Sequence, residues 1–304
     1  MIDNSHATDL HQLRATKLVF HSGAHQQTYE HETRLSFIHL LNELPEADRN
    51  LFKVPPEIKS PLLAITTEST VFHPQGGGQP SDVGEMVVAG SRSFNVLTAR
   101  TSPTNPSVVL HFGHFQDDQE SGDLNGAKVT QRVDAEKRRL FSRLHTAGHV
   151  LGAATRTLLE DRIDKFDELK ASHFPDSAAC EFQGSIDGKY KPEIQAAVDK
   201  MVSDDAEVRI GWWTKSNFRA RKLERLLISD EDWKAIAIAV DENGEDLGHE
   251  ANDEQTRIRV VDIVGAEVYP CGGTHVPSTK QCGQVTVKKI SRSKGNSRVS
   301  YLVD

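Results

Sequence analysis

The sequence has no long hydrophobic run and few cysteines. None of its 304 residues lies in an apolar stretch approaching the ~20 residues that span a bilayer, so no transmembrane helix is predicted. The three cysteines, Cys180, Cys271 and Cys282, do not form a disulfide framework. The N-terminal residues carry acids and no apolar core, unlike a secretory signal or an arginine-rich transit peptide. These absences favour a reducing, cytoplasmic compartment.

Two short motifs predict a split metal site. His145 and His149 are four residues apart in a segment that predicts a helix, so both imidazoles project from one face. Cys271 and His275 enclose a pair of glycines, whose backbone freedom allows a turn tight enough for the two side chains to meet. Nitrogen and sulfur ligands in this number suit tetrahedral zinc, so we expect Zn²⁺ as the cofactor.

Each half of this site is weak evidence by itself, because a chain with 14 histidines contains HxxxH pairs by chance. A metalloprotease is disfavoured, since its HExxH helix requires Glu at the position of Thr146. Four protein ligands normally close a structural zinc site, whereas a catalytic zinc keeps one position open. The sequence therefore leaves three interpretations: an exchangeable catalytic position, an anchor for a substrate amino group, or a purely structural zinc.

The order of predicted elements indicates an α+β chain with two domains. Residues 1–133 read mainly as short strands separated by Gly, Pro, Asn and Asp, which is typical of a small β-barrel. Rough helical periodicity over residues 35–44 predicts a helical insertion near 21–60 that decorates this barrel. Asp134 is a predicted N-cap of the histidine helix, and residues 134–304 combine helices with a mostly antiparallel sheet.

Positive charge is not in excess overall, since 36 Lys and Arg against 44 Asp and Glu give a net charge of −8. This balance argues against a protein that coats nucleic acid, but it allows local basic surfaces. Basic clusters occur in residues 132–143, 219–225 and 280–298. The first and last flank the proposed metal ligands and therefore indicate a polyanionic ligand, whereas the middle cluster fits a solvated surface equally well.

A third motif is the glycine loop of residues 72–84, centred on three consecutive glycines and Gln79. Glycines allow a ligand to approach the main chain closely. The loop is not a nucleotide P-loop, because no Lys-Ser/Thr pair follows the glycines. Its local chemistry fits a simple tight turn at least as well as a binding loop.

The glycine loop, the HTAGH helix and the CGGTHV turn occur in the order found in the editing region of alanyl-tRNA synthetase and in its free-standing relatives, the AlaX family. The chain resembles that family over roughly residues 62–304. The resemblance implies a β-barrel followed by the editing domain shared with threonyl-tRNA synthetase, together with zinc. It also implies hydrolysis of mischarged tRNA(Ala), chiefly seryl and sometimes glycyl, with Ala-tRNA(Ala) spared. Further family-like segments are residues 172–178, 259–261 and 294–298.

The sequence also departs from the family pattern. The insertion near 21–60 has no counterpart, and an Asn common on a long helix of the family appears here as Asp199. Since no aminoacylation core is recognised, we expect hydrolysis in trans on tRNA(Ala) carrying serine or glycine.

Within this interpretation, Thr146 and Thr274 neighbour the ligands and are the predicted catalytic residues, placed to hydrogen-bond a seryl hydroxyl. Local support of the ligands is an equally open role for both. The residues predicted to border the aminoacyl pocket are Gly76, Gly77, Gly78 and Gln79. The residues predicted to contact RNA phosphates are Lys288, Arg292, Lys294 and Arg298.

Two alternatives remain open from the sequence. The first is another deacylase specificity, such as threonyl or D-aminoacyl, within the same class of enzyme. The second is a zinc-stabilised RNA-binding protein without hydrolytic activity, because a structural zinc requires the same four ligands.

Overall fold

The computed structural model describes Leu10 and residues 13–116, 124–245, 247 and 255–304. The chain divides into two compact units. The first comprises residues up to Phe20, Gln27–Gly76 and Pro80–Arg138. The second comprises His21–Gln26, Gly77–Gln79 and Arg139–Asp304, so two short segments from the N-terminal half of the chain belong to the C-terminal unit.

The first unit is built on an antiparallel barrel, which six strands close among the described residues. Its strands are β1 (Lys17–Leu18), β2 (Glu30–Leu40), β3 (Leu63–Thr67), β4 (Ser69–Thr70), β5 (Gly84–Val88), β6 (Arg92–Thr101), β7 (Val109–Phe115) and β8 (Lys128–Val133). The order around the barrel is β2-β3-β7-β6-β5-β8, while β1 and β4 form a separate parallel pair. The interior is filled by side chains such as Ile65, Met86 and Phe94, as expected for a barrel of this size.

The helical insertion predicted near residues 21–60 is wrong for most of its length. Residues 30–40 form β2, which pairs with both β3 and β8 and is therefore an integral barrel strand. The register of β2 shifts between Leu35 and Phe37, and this bulge interrupts the strict alternation of apolar residues. The apolar residues of β2 consequently recur at a spacing that resembles that of a helix. The described helical structure that follows is a 3₁₀ turn, Leu41–Glu43, and the short helix α1, Glu46–Arg49.

A buried ion pair lies inside the first unit. Arg138 and Asp82 are each 1% exposed, and Arg138 Nε lies 2.9 Å and 2.8 Å from the two carboxylate oxygens. Asp82 also accepts a hydrogen bond from the backbone N–H of His73 at 2.6 Å, and Arg138 donates to the carbonyl of Val71. Nearly all the polar capacity of Asp82 is therefore used, which offsets part of the cost of removing both charges from water, whereas Arg138 Nη1 is buried without a hydrogen-bond partner among the described residues.

The second unit packs helices against antiparallel sheets, which confirms the predicted α+β class. Its helices are α2 (Ala135–Leu159, which begins in the first unit), α3 (Lys191–Ser203), α4 (Lys215–Ala220) and α5 (Asp230–Ile236). Its strands are β9 (Asp167–Ser172), β10 (Ala179–Gln183), β11 (Val208–Trp213), β12 (Ile238–Ala239), β13 (Thr256–Ile263), β14 (Glu267–Pro270), β15 (Val285–Ser293) and β16 (Asn296–Val303). One sheet has the order β9-β10-β16-β15, and in the other β13 pairs with β11, β12 and β14.

The long helix α2 carries the core of the second unit. As predicted, Asp134 caps its N-terminus, where the carboxylate accepts from Lys137 N at 3.0 Å. Leu144, Val150 and Leu151 recur at helical spacing and are buried against sheet residues. Among the described residues, no helix combines the length and the apolar composition needed to cross a membrane.

Removal of one partner from the buried pair should destabilise the protein strongly. We expect Asp82→Asn to lower the free energy of unfolding by about 3–5 kcal/mol, because it leaves the Arg138 charge buried without its counter-ion. Arg132→Gln is the matched control, since Arg132 pairs with Glu30 where both side chains are more than half exposed. That change should cost less than about 1 kcal/mol. Denaturant unfolding measures both values, and equal losses would contradict this account.

Candidate metal centre

Helix α2 presents two imidazoles to the interior of the second unit. His145 and His149 stand one turn apart, and their ring centroids lie 4.9 Å from each other. His145 is buried and His149 is partly buried. The structure therefore places both rings on one helix face, as the sequence predicted.

The turn after β14 presents the other pair. Hydrogen bonding between β13 and β14 extends to Cys271, whose N–H donates to the carbonyl of Arg259 at 3.1 Å. At Gly273, an added Cβ would overlap the His145 ring and lie 2.8 Å from Gln79 Oε1. Glycine is required here because the backbone passes close to the helix, whereas the sequence suggested that glycine was needed for the bend itself.

The four side chains converge on one point. One ligand atom from each of His145, His149, Cys271 and His275 lies within 4.8 Å of the other three. Cys271 Sγ is 3.4 Å from Nε2 of both His145 and His275. Tetrahedral zinc, with bonds of ~2.0–2.3 Å, separates its ligand atoms by roughly 3.3–3.8 Å. The group therefore has the composition and spacing to hold one metal ion.

Hydrogen bonds set the tautomers of two of these imidazoles. Gln79 Oε1 accepts from the backbone N–H of Thr274 at 2.9 Å, so this atom is the amide oxygen and not the nitrogen. His145 Nδ1, 2.8 Å from the same oxygen, must therefore be the protonated nitrogen. Its Nε2 then carries the lone pair, on the side that faces Cys271. An outer hydrogen bond of this kind is usual for a metal-binding histidine.

Thr146 acts on His275 in the same manner. Its hydroxyl donates to the carbonyl of Ser142 at 2.9 Å, which leaves oxygen lone pairs for His275 Nδ1 at 3.2 Å and Val276 N at 3.1 Å. All the hydrogen-bonding capacity of this hydroxyl is used, and the side chain is fully buried. The position of Thr146 thus favours support of a ligand.

Thr274, the second predicted catalytic residue, is also fully buried. Its Oγ1 accepts from Gln79 Nε2 at 2.9 Å and lies 2.7 Å from Ser142 Oγ. These two bonds use two of the three hydrogen-bonding positions of the hydroxyl, one donor and two acceptors, and leave one unused. Gln79, Ser142 and Thr274 together form a polar network beside the four candidate ligands.

The surroundings favour neutral imidazoles and oppose a free thiolate. Burial, followed by the nearby His173 and Arg259, lowers the pKa of His149 well below its ordinary value. His149 Nε2 is buried and has no hydrogen-bond partner among the described residues. Burial raises the pKa of Cys271, while Arg259 and the Gly273 N–H act in the opposite direction. An unpartnered imidazole nitrogen in its neutral form is the state in which histidine binds a metal.

The glycine loop reaches this group through its last residues. Gly77 and Gly78 have φ of +55° and +77°, in the left-handed region that favours glycine. Gly78 O accepts from His173 N at 2.8 Å, and an added Cβ at Gly78 would overlap the carbonyl of Ala171. The loop is thereby fixed with Gln79 directed at His145. Gly76 is exposed and belongs to the first unit.

His173, in the family-like segment of residues 172–178, is a further neighbour of the site. Its ring stacks on His145, with centroids 4.2 Å apart, and its Nδ1 lies 2.7 Å from the hydroxyl of Tyr301. That hydroxyl donates to the carbonyl of Leu144 at 2.9 Å, so His173 Nδ1 is the donor. Burial lowers the pKa of His173 to about 4. The ring is thus a neutral support for His145.

A segment from residues 21–26 also contacts the Cys271 turn, and no local signal in the sequence could have shown it. Gln26 Oε1 accepts from the N–H of His275 at 3.3 Å. His21 Nε2 lies 3.2 Å from the carbonyl of Gly272. Arg259 connects residues 21–26 to the Cys271 turn, because it donates to His21 O at 3.2 Å and to Cys271 O at 2.6 Å.

The cations predicted to bind RNA lie on the hairpin of β15 and β16. Lys288, Arg292 and Lys294 are exposed. Lys294 occupies the two-residue turn, with φ of +50°. Arg298 is engaged differently, because it forms an ion pair with Glu181 at 2.9 Å and donates to Ser177 O. With Lys289, which is also exposed, the hairpin offers four exposed cations, whereas Arg298 is paired within its own unit.

Comparisons with known proteins agree with this architecture. Residues 258–300 match the second additional domain of threonyl and alanyl tRNA synthetases. The alanine–tRNA ligase of Methanosphaera stadtmanae is 26% identical over 79% of this chain and 24% of its own length. The alanyl-tRNA editing protein AlaX-L of Pyrococcus horikoshii is 27% identical over 78% of this chain and 50% of its own. For AlaX-M of Methanosarcina barkeri, the values are 26%, 79% and 89%.

These matches confirm the predicted resemblance to the AlaX family. The chain is similar to AlaX-type proteins over about four fifths of its length, and the matched domain includes Cys271 and His275. The chain spans about a quarter of the alanine–tRNA ligase and half of AlaX-L.

Loss of the Thr146 hydroxyl should weaken metal binding. We expect Thr146→Val to raise the zinc dissociation constant about tenfold or more, because His275 loses the acceptor that orients it. It should also cost about 1–3 kcal/mol of stability, since Val276 N is left unpaired. Thr146→Ser keeps the hydroxyl and serves as the control. Chelator competition measures the affinities, and a Val variant that binds zinc as tightly as the Ser variant would contradict this role.

Proposed function

We propose that the protein is a zinc-dependent aminoacyl-tRNA deacylase that acts in trans. Its proposed substrates are Ser-tRNA(Ala), chiefly, and Gly-tRNA(Ala), while Ala-tRNA(Ala) is spared. The observation that carries the proposal is the convergence of His145, His149, Cys271 and His275 within 4.8 Å, in a chain similar to proteins named alanyl-tRNA editing proteins.

These four residues would hold the zinc ion, whose preference for nitrogen and sulfur ligands they match. When bound, zinc would supply Lewis-acid activation for hydrolysis of the aminoacyl ester. The chain itself contributes orientation. Gln79 and Thr146 hold the protons of His145 and His275 on Nδ1, so both Nε2 atoms present lone pairs.

Selection of a seryl group requires a polar partner that an alanyl group would leave unpaired. Of the two predicted catalytic threonines, Thr274 has an unused hydrogen-bonding capacity, whereas Thr146 has none. We therefore assign the proposed contact with the seryl hydroxyl to Thr274 and the orienting role to Thr146. The glycine loop, Gly76 to Gly78 with Gln79, would border the aminoacyl group.

The tRNA would be held by the exposed cations of the β15–β16 hairpin. Lys288, Arg292 and Lys294 have no ion-pair partner in the described part of the chain, so their charges are available to phosphates. Arg298, which is paired with Glu181, contributes less in this proposal than the sequence suggested. The free cysteines Cys180, Cys271 and Cys282 are consistent with a reducing cytoplasm.

A second candidate function is zinc-stabilised RNA binding without hydrolysis. It is favoured by the number of candidate ligands, because four protein ligands are typical of a structural zinc site. It predicts stoichiometric zinc and tRNA binding without turnover.

Serine release from Ser-tRNA(Ala) separates the two candidates. We expect the zinc-loaded protein to release serine while alanine remains on Ala-tRNA(Ala). Cys271→Ala should slow serine release at least about a hundredfold, since an outer-shell loss alone costs 10–100-fold and this change removes a ligand. Cys282→Ala, which removes a buried thiol elsewhere in the core, is the control and should behave like the wild type. A folded, zinc-loaded wild type that binds tRNA but releases no serine would contradict the proposed seryl specificity, and if it also failed to hydrolyse glycyl, threonyl and D-aminoacyl esters of tRNA it would support the second candidate.

The affinity for tRNA should fall steeply as salt increases. A combined Lys288→Gln, Arg292→Gln and Lys294→Gln variant should reduce the slope of log affinity against log salt by about two to three, because each lost phosphate contact removes roughly one. The control variant has the same net charge as the hairpin variant and combines Lys53→Gln, Lys59→Gln and Lys234→Gln. The hairpin assignment is wrong if both combined variants have the wild-type slope.

A further inference from the structure

Both the ring and the hydroxyl of Tyr269 contact His149, one of the candidate ligands. Tyr269 belongs to β14, two residues before Cys271. Its ring stacks on the imidazole of His149, with centroids 4.2 Å apart and ring planes 17° from parallel. Its hydroxyl donates to the backbone carbonyl of the same histidine at 3.1 Å. One tyrosine thus fixes both the ring and the backbone of His149.

His149 differs from the other two histidines in how its ring is held. The Nδ1 atoms of His145 and His275 are hydrogen-bonded to Gln79 and Thr146. His149 has a buried Nε2 without a hydrogen-bond partner among the described residues, and the contact with Tyr269 is its most nearly parallel ring contact. The ring of His149 is therefore oriented by stacking, whereas the rings of His145 and His275 are oriented by hydrogen bonds.

Tyr269 is itself firmly seated. Its hydroxyl lies 3.4 Å from Glu168 Oε1, and Glu168 is bonded to Arg156 at 3.1 Å. Helix α2 has Gly152 at this place, where an added Cβ would lie 2.8 Å from the tyrosine hydroxyl. The pairing of Tyr269 with Val261 fixes its backbone in the sheet. A side chain with so little freedom can define the plane of the ring it touches.

We infer that Tyr269 is a positioning residue for the metal site, which ties the helix pair of ligands to the turn pair. Because it lies in β14, two residues before Cys271, and stacks on His149, it sets the position of the helix ligand relative to the turn. This inference rests on the proposed zinc site. Its consequence is preorganisation: the ligands are already placed before the ion arrives, so less ordering accompanies binding.

The zinc dissociation constants of tyrosine variants test this role. Chelator competition should give Tyr269→Phe, which keeps the stacked ring, an affinity within about threefold of the wild type. Tyr269→Leu and Tyr269→Met should bind zinc about ten- to a hundredfold more weakly, as found for residues that orient metal ligands. The Co²⁺ absorption bands of these two variants should also differ from those of the wild type. Tyr190→Leu is the control, since Tyr190 packs against the same core away from the ligands.

Thermal unfolding of the metal-free proteins separates positioning from stability. A positioning role predicts weaker zinc binding by the Leu and Met variants even where their metal-free melting temperatures match that of Tyr190→Leu. The inference is overturned if these variants bind zinc as the wild type does, or if Tyr190→Leu loses affinity equally. Absence of zinc and Co²⁺ binding by the wild type would overturn both the zinc site and this inference, whereas wild-type binding with unaffected variants would overturn the inference alone.

Discussion

The arrangement of the candidate centre depends on the hydrogen bonds of the Gln79 side-chain amide. Its oxygen accepts from the Thr274 N–H and from His145 Nδ1, and its nitrogen donates to the Thr274 hydroxyl. These bonds join the glycine loop, the helix and the Cys271 turn, which are far apart in sequence. A buried polar network of this kind restricts the motion of the residues that it connects. The tautomer of His145 and the approach of the turn both follow from it.

Local patterns in the sequence predicted much of the fold and the four candidate ligands, because those features have short periods. His145 and His149 needed only helical spacing, and the strands of the barrel were separated by recognisable turn residues. The prediction failed at residues 35–44, where the bulge in β2 shifts the alternation by one residue. Among the supporting residues, Gln79 and Thr146 were named from the sequence, whereas Gln26 was missed. Gln26 meets His275 across 249 residues, and nothing local to either residue encodes that contact.

The centre combines ligands of two kinds of environment. His145 and His275 are buried and hydrogen-bonded, whereas His149 and Cys271 are partly buried. The ligand atom Nε2 of His149 is nevertheless buried, and Tyr269 stacks on the His149 ring, so all three imidazoles are held in place. The four side chains therefore form a group that is already arranged for a metal ion.

The assignment of His21–Gln26 and Gly77–Gln79 to the second unit has a consequence for how the chain folds. The contacts of the centre close loops of 66, 195 and 249 residues. High contact order of this kind makes native structure late to form, since the entropy of closing each loop is lost before its contacts are gained. A fragment that begins after Arg138 would retain all four candidate ligands but would lack Gln79 and Gln26. Such a fragment would therefore lose the hydrogen bond that sets the tautomer of His145 and the one that Gln26 accepts from the His275 N–H.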